Sequence, residues 1–418
     1  MNNEIKHQLA IDAIKKKLKG KSLNYNEVFS IMDEISHDRL GDILTTYFAA
    51  SGFTSGFSSL ELYYLTKAMV DTGEVMKFKG IVADKHSIGG IAGTRTSMIV
   101  VPIIVAAGFT MPKTSSRAIT SPAGTADVME VLAKVDLTPE HIKKIVDKVG
   151  GCIIWGGHLG IAPADDVIIQ VEEELSFESY DKFIVSIMAK KIAMSATHLV
   201  LDIPVGPTMK VKTEKDAQLV NQKFEELAHK FEIVVEVDIN HTFEPAGYGI
   251  GPALEAIDIL KVLEQDQTRP IELEKRSLRI ASKLLNLCYK TSGIDKDGMT
   301  EASRILQTGA ALVKFKDIIE LQQGDRNVTS KKIRYGKFSK KDLSPTSGKI
   351  KRINNYNLNA VTKILGAPKD KYAGIVLNKR RGDEINKGEL KMTLFSTDEK
   401  NIHEAVETLI TFPVYEIS

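Results

Sequence analysis

The stretch DKHSIGGIAGTRTSMIVVPIIVAAGF, residues 84–109, decides the fold. Its first half sets Lys85, His86, Arg95, two serines and two threonines among three glycines. Its second half is almost wholly apolar. An apolar run behind a glycine-rich loop reads as a buried helix whose N-terminus faces the loop, and the free N–H groups there make a ready anion site. Gly89, Gly90 and Gly93 are expected to let backbone N–H groups approach a ligand. Lys85 supplies a point charge, and Ser87 and Ser97 supply hydroxyl donors. Pro102 reads as close enough to the helix start to be tolerated. The stretch is neither GxxxxGK[ST] nor GxGxxG, so it supports neither a P-loop nor a dinucleotide fingerprint.

A second stretch, KTSSRAITSPAGTAD at 113–127, again joins Lys, Arg, Ser and Thr to a small turn ahead of a helical run, VMEVL. Two donor-rich loops, each preceding a helix on one sheet, can converge on one oxyanion.

Outward from these loops the pattern is α/β. Before residue 70 the chain reads as helices. Asn24 with Glu27, and Ser58 with Glu61, have capping-box spacing. Val28, Ile31, Met32 and Ile35 form one helical stripe, as do Leu62, Leu65 and Met69. Beyond residue 80, Thr138-Pro139-Glu140 starts a helix that Gly150-Gly151 closes, and CIIW (152–155) begins a buried strand. LVLDI (199–203) and IVVEVDI (233–239) are further strands around a helical stretch near 214–230. This alternation argues an α/β layer with a mostly parallel sheet. The basic run NVTSKKIRYGKFSKKDLSPTSGK (327–349) reads as a solvated linker, and the last 75 residues as a small α+β module. Leu390-Lys391-Met392 has a faint likeness to a biotin or lipoyl attachment site.

Fifty-six Lys and Arg nearly cancel fifty-four Asp and Glu, so net charge gives no argument for nucleic acid or an acidic membrane. The two cysteines, Cys152 and Cys288, make no CxxC, which argues against a disulfide frame or zinc cluster and for a reducing compartment. No apolar run approaches the roughly 18 residues of a membrane span. A cytoplasmic protein is expected.

The loops together resemble the thymidine/pyrimidine-nucleoside phosphorylase family, nearest its AMP phosphorylase branch. APAD (162–165), SIMAKK (186–191), DIPVG (202–206) and GIGPALEA (249–256) match in order, and the resemblance runs from about residue 8 to the end. It implies a nucleoside phosphorylase/phosphoribosyltransferase-like α/β fold: a discontinuous helical lobe that forms the dimer interface, a large phosphate-binding lobe with a mostly parallel sheet, and a C-terminal α+β module. The expected boundaries are 1–66 with 163–193, 67–162 with 194–330, and 331–418.

The resemblance also implies a reaction. Inorganic phosphate attacks the anomeric carbon of a nucleoside 5′-monophosphate, and the base leaves; a pyrimidine nucleoside is the alternative substrate. No metal or organic cofactor is implied, and phosphate is the co-substrate. By position, Lys85, Ser87, Ser97, Ser115 and Thr125 hold phosphate. His86, Ser186 and Lys190 contact the base. The AMP branch's carboxylic proton donor falls on Glu178, where that branch usually has Asp. Its other ligand contacts fall on Gly90, on Ser116, Arg117, Ala118, Ile119, Thr120 and Ser121, and on Lys210. Arg117 and Lys210, with Arg95 behind them, are the candidates for a 5′-phosphate pocket. Trp155 either stacks on a base or packs.

Three departures stand out. The AMP branch carries an additional N-terminal domain tied to higher assembly, and this chain starts where that domain would end, so a plain homodimer is expected. Glu172 stands where thymidine phosphorylases place an Arg against the base. Pro122 stands where the AMP branch has Ala. Two other readings compete: a phosphoribosyltransferase of the anthranilate type, with Glu172–Glu174 as a paired-acid magnesium site, and a non-catalytic binder of the same fold.

Overall fold

Both capping boxes form as the sequence predicts. Asn24 accepts the Glu27 N–H while Glu27 accepts the Asn24 N–H at 2.8 Å, and Ser58 and Glu61 repeat the exchange. They start the helices Tyr25–Ser36 and Ser59–Asp71. Val28, Ile31, Met32 and Ile35 then bury one face against Leu62, Leu65 and Met69. Ala164 and Ile168 of the helix Pro163–Leu175 join this core, as do Val185 and Ala189 of Tyr180–Ala193. A charge is buried here too: Lys17 pairs with Glu61 at 2.8 Å, and Glu61 also accepts the Leu23 N–H, so the ion pair carries the further hydrogen bonds that burial demands.

The computed structural model describes residues 3–118, 121–157, 159–175 and 179–418. Residue contacts divide the chain into two units. The first is Met1–His86, Gly156–Leu199 and Lys215–Val235; the second is Ser87–Trp155, Val200–Glu214 and Glu236–Ser418.

The strands are β1 (Ala83–Ser87), β2 (Met111–Ser115), β3 (Gly151–Trp155), β4 (His198–Val205), β5 (Val234–His241), β6 (Gly249–Ile250), β7 (Phe338–Leu343), β8 (Gly348–Ile353), β9 (Gly374–Leu377), β10 (Glu384–Ile385), β11 (Leu390–Ser396) and β12 (Tyr415–Ile417). Strands β1, β4 and β5 make a sheet in the order β1-β4-β5, and β2 pairs with β3 in parallel from Met111↔Gly151 to Ser115↔Trp155. The helix Pro139–Val149 leads into β3. Thr138 caps its start, and Gly150 ends it in the left-handed conformation. The apolar run is the helix Ser97–Ala106, buried from Ser97 to Val105. Pro102 lies in its second turn rather than at its start, so the carbonyl of Met98 loses the N–H it would otherwise accept.

The C-terminal part has an antiparallel sheet ordered β6-β9-β11-β7 and a smaller one ordered β10-β8-β12, with the helices Asn355–Ile364 and Glu399–Thr411. The expected linker is therefore partly a strand. Phe338–Leu343 pairs with β11, and its lysines lie exposed on an outer strand, where charge is favoured. Lys391 lies within β11 and pairs with Asp342 at 3.1 Å, so it is a structural ion pair rather than an attachment lysine on a hairpin tip. Among the described residues no helix is long and apolar enough to cross a membrane.

Candidate active site

The second unit carries most of the expected phosphate loop. Ser87 ends β1, and its hydroxyl donates to Asp202 Oδ2 at 2.6 Å; the Ile88 N–H donates to the Asp202 carbonyl at 3.0 Å. The loop then turns through Gly89 and Gly90, at φ 86° and 91°, a region closed to most side chains. A Cβ at Gly90 would lie 3.6 Å from the Lys210 N, so these two expected ligand contacts are neighbours. Gly93 serves another purpose. A Cβ there would fall 2.6 Å from Ile250 Cδ1 and 2.9 Å from the Gly249 carbonyl, so this glycine admits the protein's own chain rather than a ligand. Ser97 is the first residue of its helix and is buried.

The second loop is closed by a residue to which the sequence reading gives no role. Asp127 Oδ2 accepts the N–H groups of Ala118 at 2.7 Å and Gly124 at 2.8 Å, clamping the two ends of the turn. Gly124 itself packs against Ser116 and Arg117: a Cβ would lie 2.4 Å from the Ser116 carbonyl. Thr125 opens the five-residue helix Thr125–Met129, so the expected helix is shorter and earlier than VMEVL suggests. The Ser115 hydroxyl donates to the Ile154 carbonyl and Ser121 to the Ala123 carbonyl, each at 2.9 Å. Ser116 is exposed. Arg95 Nη2 reaches Ser121 Oγ at 3.5 Å and links the two loops.

The arginines are less available than a phosphate pocket would want. Arg117 forks onto Glu130 at 2.8 and 2.7 Å, approaches Asp127 at 3.3 Å and lies 4.8 Å over the Trp155 ring. Arg117 and Lys371 hold the Glu130 carboxyl down at about 2. Arg95 pairs with Glu255 at 2.7 Å.

The first unit carries Ser186 and Lys190, the residues expected to contact a base. The buried Asp165 accepts the Ser186 hydroxyl at 2.8 Å and pairs with Lys190 Nζ at 2.7 Å. Burial alone would push the Lys190 ammonium down, but Asp165 and Asp166 outweigh it and the net shift is upward. Lys190 is thus held as a cation, suited to donating a hydrogen bond rather than losing a proton. Next along the helix, Lys191 pairs with Asp84 at 2.7 Å, both 2% exposed. Neither lysine is a solvated face. Lys85 is buried at 3% exposure, and His86 is half-buried in β1. Ile119, Thr120, His158 and Glu178 lie outside the described residues, as do the side chains of Glu172, Glu173 and Glu174.

Asp165 and Asp127 had a sequence signal. Ser186 and Lys190 are four apart on one helix face, which asks for a shared partner, and Asp127 stands three residues after Gly124 at a helix start. Asp202 and its partner Asn240, 2.6 Å apart, had none, because β4 and β5 bring them together across the sequence.

Residues 11–73 match the glycosyl transferase family helical bundle domain, 79–312 the glycosyl transferase family a/b domain, and 349–413 the pyrimidine nucleoside phosphorylase C-terminal domain. An AMP phosphorylase of Methanococcus vannielii is 41% identical over 398 residues, covering 95% of this chain and 78% of that protein. A Legionella pneumophila (strain Paris) protein described as "Putative thymidine phosphorylase" is 40% identical over 395 residues, covering 94% of this chain and 75% of that one. Among solved structures, anthranilate phosphoribosyltransferase from Thermus thermophilus superposes with a TM-score of 0.62 at 17% identity, covering 75% of this chain and 100% of that one.

Proposed function

Because the chain belongs to the glycosyl transferase family that joins a helical bundle and an a/b domain to a pyrimidine nucleoside phosphorylase C-terminal domain, we propose that it cleaves nucleoside 5′-monophosphates with inorganic phosphate, giving free base and ribose 1,5-bisphosphate. The observation that carries this reading is the loop from Ser87 to Ser97. It couples a left-handed glycine turn, seated against Lys210, to the N-terminus of a buried helix.

A phosphate oxygen attacks the anomeric carbon as the C–N bond breaks, and the bonding pair leaves on the base nitrogen, which takes a proton. Lys85, Ser87, Ser97, Ser115 and Thr125 hold and aim the phosphate dianion, whose charge also stabilises the oxocarbenium-like sugar. Lys190, oriented by Asp165, donates to the base; Ser186, whose proton goes to Asp165, accepts from the base, and His86 completes the base contacts. Glu178 is assigned as the proton donor. The ligand run from Ser116 to Ser121 lines the nucleotide, with Arg117, Ala118, Ile119 and Thr120 within it, and Gly90 and Lys210 face its 5′-phosphate.

The thymidine phosphorylase description of the Legionella relative supports a second reading, phosphorolysis of a pyrimidine nucleoside. The Glu130 and Asp127 carboxylates that occupy Arg117 favour it, because they leave less positive charge for a 5′-phosphate. Assays of free base release from AMP, CMP and UMP against uridine, cytidine and thymidine, with and without phosphate, separate the two. Phosphate-dependent release from nucleotides supports the first reading; release from nucleosides alone selects the second.

A cytoplasmic homodimer is the setting we infer. The two buried cysteine thiols support a reducing compartment. Ile43 and Tyr47, exposed four residues apart on the helix Gly41–Ser55, support a contact with a second copy.

A further inference from the structure

Within the second unit, away from the loops just described, lies a cavity of about 720 Å³. Five cationic side chains line it, Arg276, Lys349, Lys351, Arg380 and Arg381, against the carboxylates of Glu244 and Glu272. Two of the arginines are already engaged. Arg380 donates to the carbonyls of Pro245 and Gly247 at 2.6 Å and lies over Tyr248; Arg381 lies over Phe243. These contacts make a fixed cationic wall rather than a set of loose side chains. Arg276 is different. It is 6% exposed, and its Nε and Nη1 find no hydrogen-bond partner among the described residues. A buried guanidinium with two unmet donors is costly unless something accepts from them. Burial pushes its pKa below the ordinary value, and Asp202 only partly opposes that. Arg276 rises from the first turns of the 22-residue helix Ile271–Ser292, whose opening residues Ile271 and Glu272 also line the cavity.

The third Arg276 nitrogen leads elsewhere. Nη2 donates to Thr242 Oγ1 at 2.9 Å, Thr242 Oγ1 donates to Asn240 Oδ1 at 2.9 Å, and Asn240 Nδ2 donates to Asp202 Oδ1 at 2.6 Å. Asp202 Oδ2 accepts from Ser87, the first residue of the expected phosphate loop. Four hydrogen bonds in series therefore join the cavity's unsatisfied arginine to that loop.

We propose that this cavity is a second anion site, taking a small multiply charged phosphate compound, and that its occupancy is relayed through Thr242, Asn240 and Asp202 to Ser87. The binding half stands without the phosphorolysis reading; the relay half rests on it. An anion in the cavity draws the Arg276 guanidinium toward it and away from Thr242 Oγ1, which removes the donor that fixes the order of the Thr242–Asn240–Asp202 chain. Ser87, which donates to Asp202 while the chain is in place, is thereby released toward substrate.

Calorimetric titration of the full chain with inorganic pyrophosphate tests the binding half. We expect two classes of site. Lys85→Ala removes one. The double variant Lys349→Ala/Lys351→Ala, which touches only the cavity rim, weakens the other by about tenfold, the scale of a lost charge-assisted contact, and leaves turnover unchanged. Arg276→Met abolishes that second class; should it fail to fold, the rim variant carries the test. A single class, lost in Lys85→Ala and untouched by the rim variant, overturns the site. For the relay, ribose 5-phosphate is expected to shift the KM for phosphate by about fivefold. Thr242→Val abolishes that shift while pyrophosphate still binds the cavity. An unchanged KM in the parent chain overturns the relay and leaves the site standing. A chain that binds pyrophosphate at the cavity but releases no base would refute the phosphorolysis reading and not the site.

Discussion

At the residue scale, buried carboxylates hold the proposed site's side chains in place. Asp165 fixes both Ser186 and Lys190, so Asp165→Asn removes the counter-charge that keeps Lys190 protonated and leaves a weaker partner for Ser186. We expect kcat/KM to fall by about 10- to 100-fold, the range for a lost positioning contact, with the alkaline limb of the pH–rate profile moving to lower pH. An unchanged limb would mean that Asp165 serves folding alone. Lys85→Ala should lower turnover by at least about 100-fold, because a charge-assisted contact to phosphate in a dry site is worth roughly 3 kcal/mol; near-normal activity would remove Lys85 from the phosphate site. Asp258 gives a pH signature that needs no assay. Burial raises its pKa from 3.8 to about 6, against the N–H groups of Tyr248 and Gly249 that donate to it. Since its folded value lies above the unfolded one, its contribution is fully present below about pH 3.8 and is lost as pH rises through about 6. The amount is about 3 kcal/mol. Urea midpoints between pH 4 and 7 should show this slope in the parent protein and not in Asp258→Asn; equal slopes would contradict the assignment.

At the element scale the second loop hangs on one small residue. Gly124 has ordinary φ, so its constraint is space: any Cβ would strike the Ser116 carbonyl. Gly124→Ala should displace Ser116–Ala118 and lower activity more than about tenfold, while stability drops by only about 1–3 kcal/mol, the cost of an overpacked turn. Loss of stability without loss of activity would show that the loop is no part of the site. Local chemistry makes much of this scale legible in the sequence. The Asn24–Glu27 and Ser58–Glu61 boxes, the Thr138-Pro139 start and the Gly150 stop each need only neighbours in sequence, and all form. Phe338–Leu343 is hidden by its lysines, since an outer strand with a solvated face carries the charge pattern of a linker. The Arg117–Glu130 pair is not legible in the sequence, because the two residues stand thirteen apart and no periodicity announces them. The donor inventory of the two loops is readable from the residues; which donors their own chain has already taken is not.

At the scale of the whole molecule the chain divides into two units, and His86 and Ser87 are consecutive residues assigned to different units. Relatives about 40% identical to this chain are described by two substrates, a nucleotide and a nucleoside. The reaction we propose is phosphate-dependent cleavage of an N-glycosidic bond, which is tested by measuring free base released from AMP, CMP and UMP as inorganic phosphate is varied. Base release should depend saturably on phosphate, with ribose 1,5-bisphosphate formed in equal amount to base. Base release that proceeds at the same rate without phosphate would contradict it.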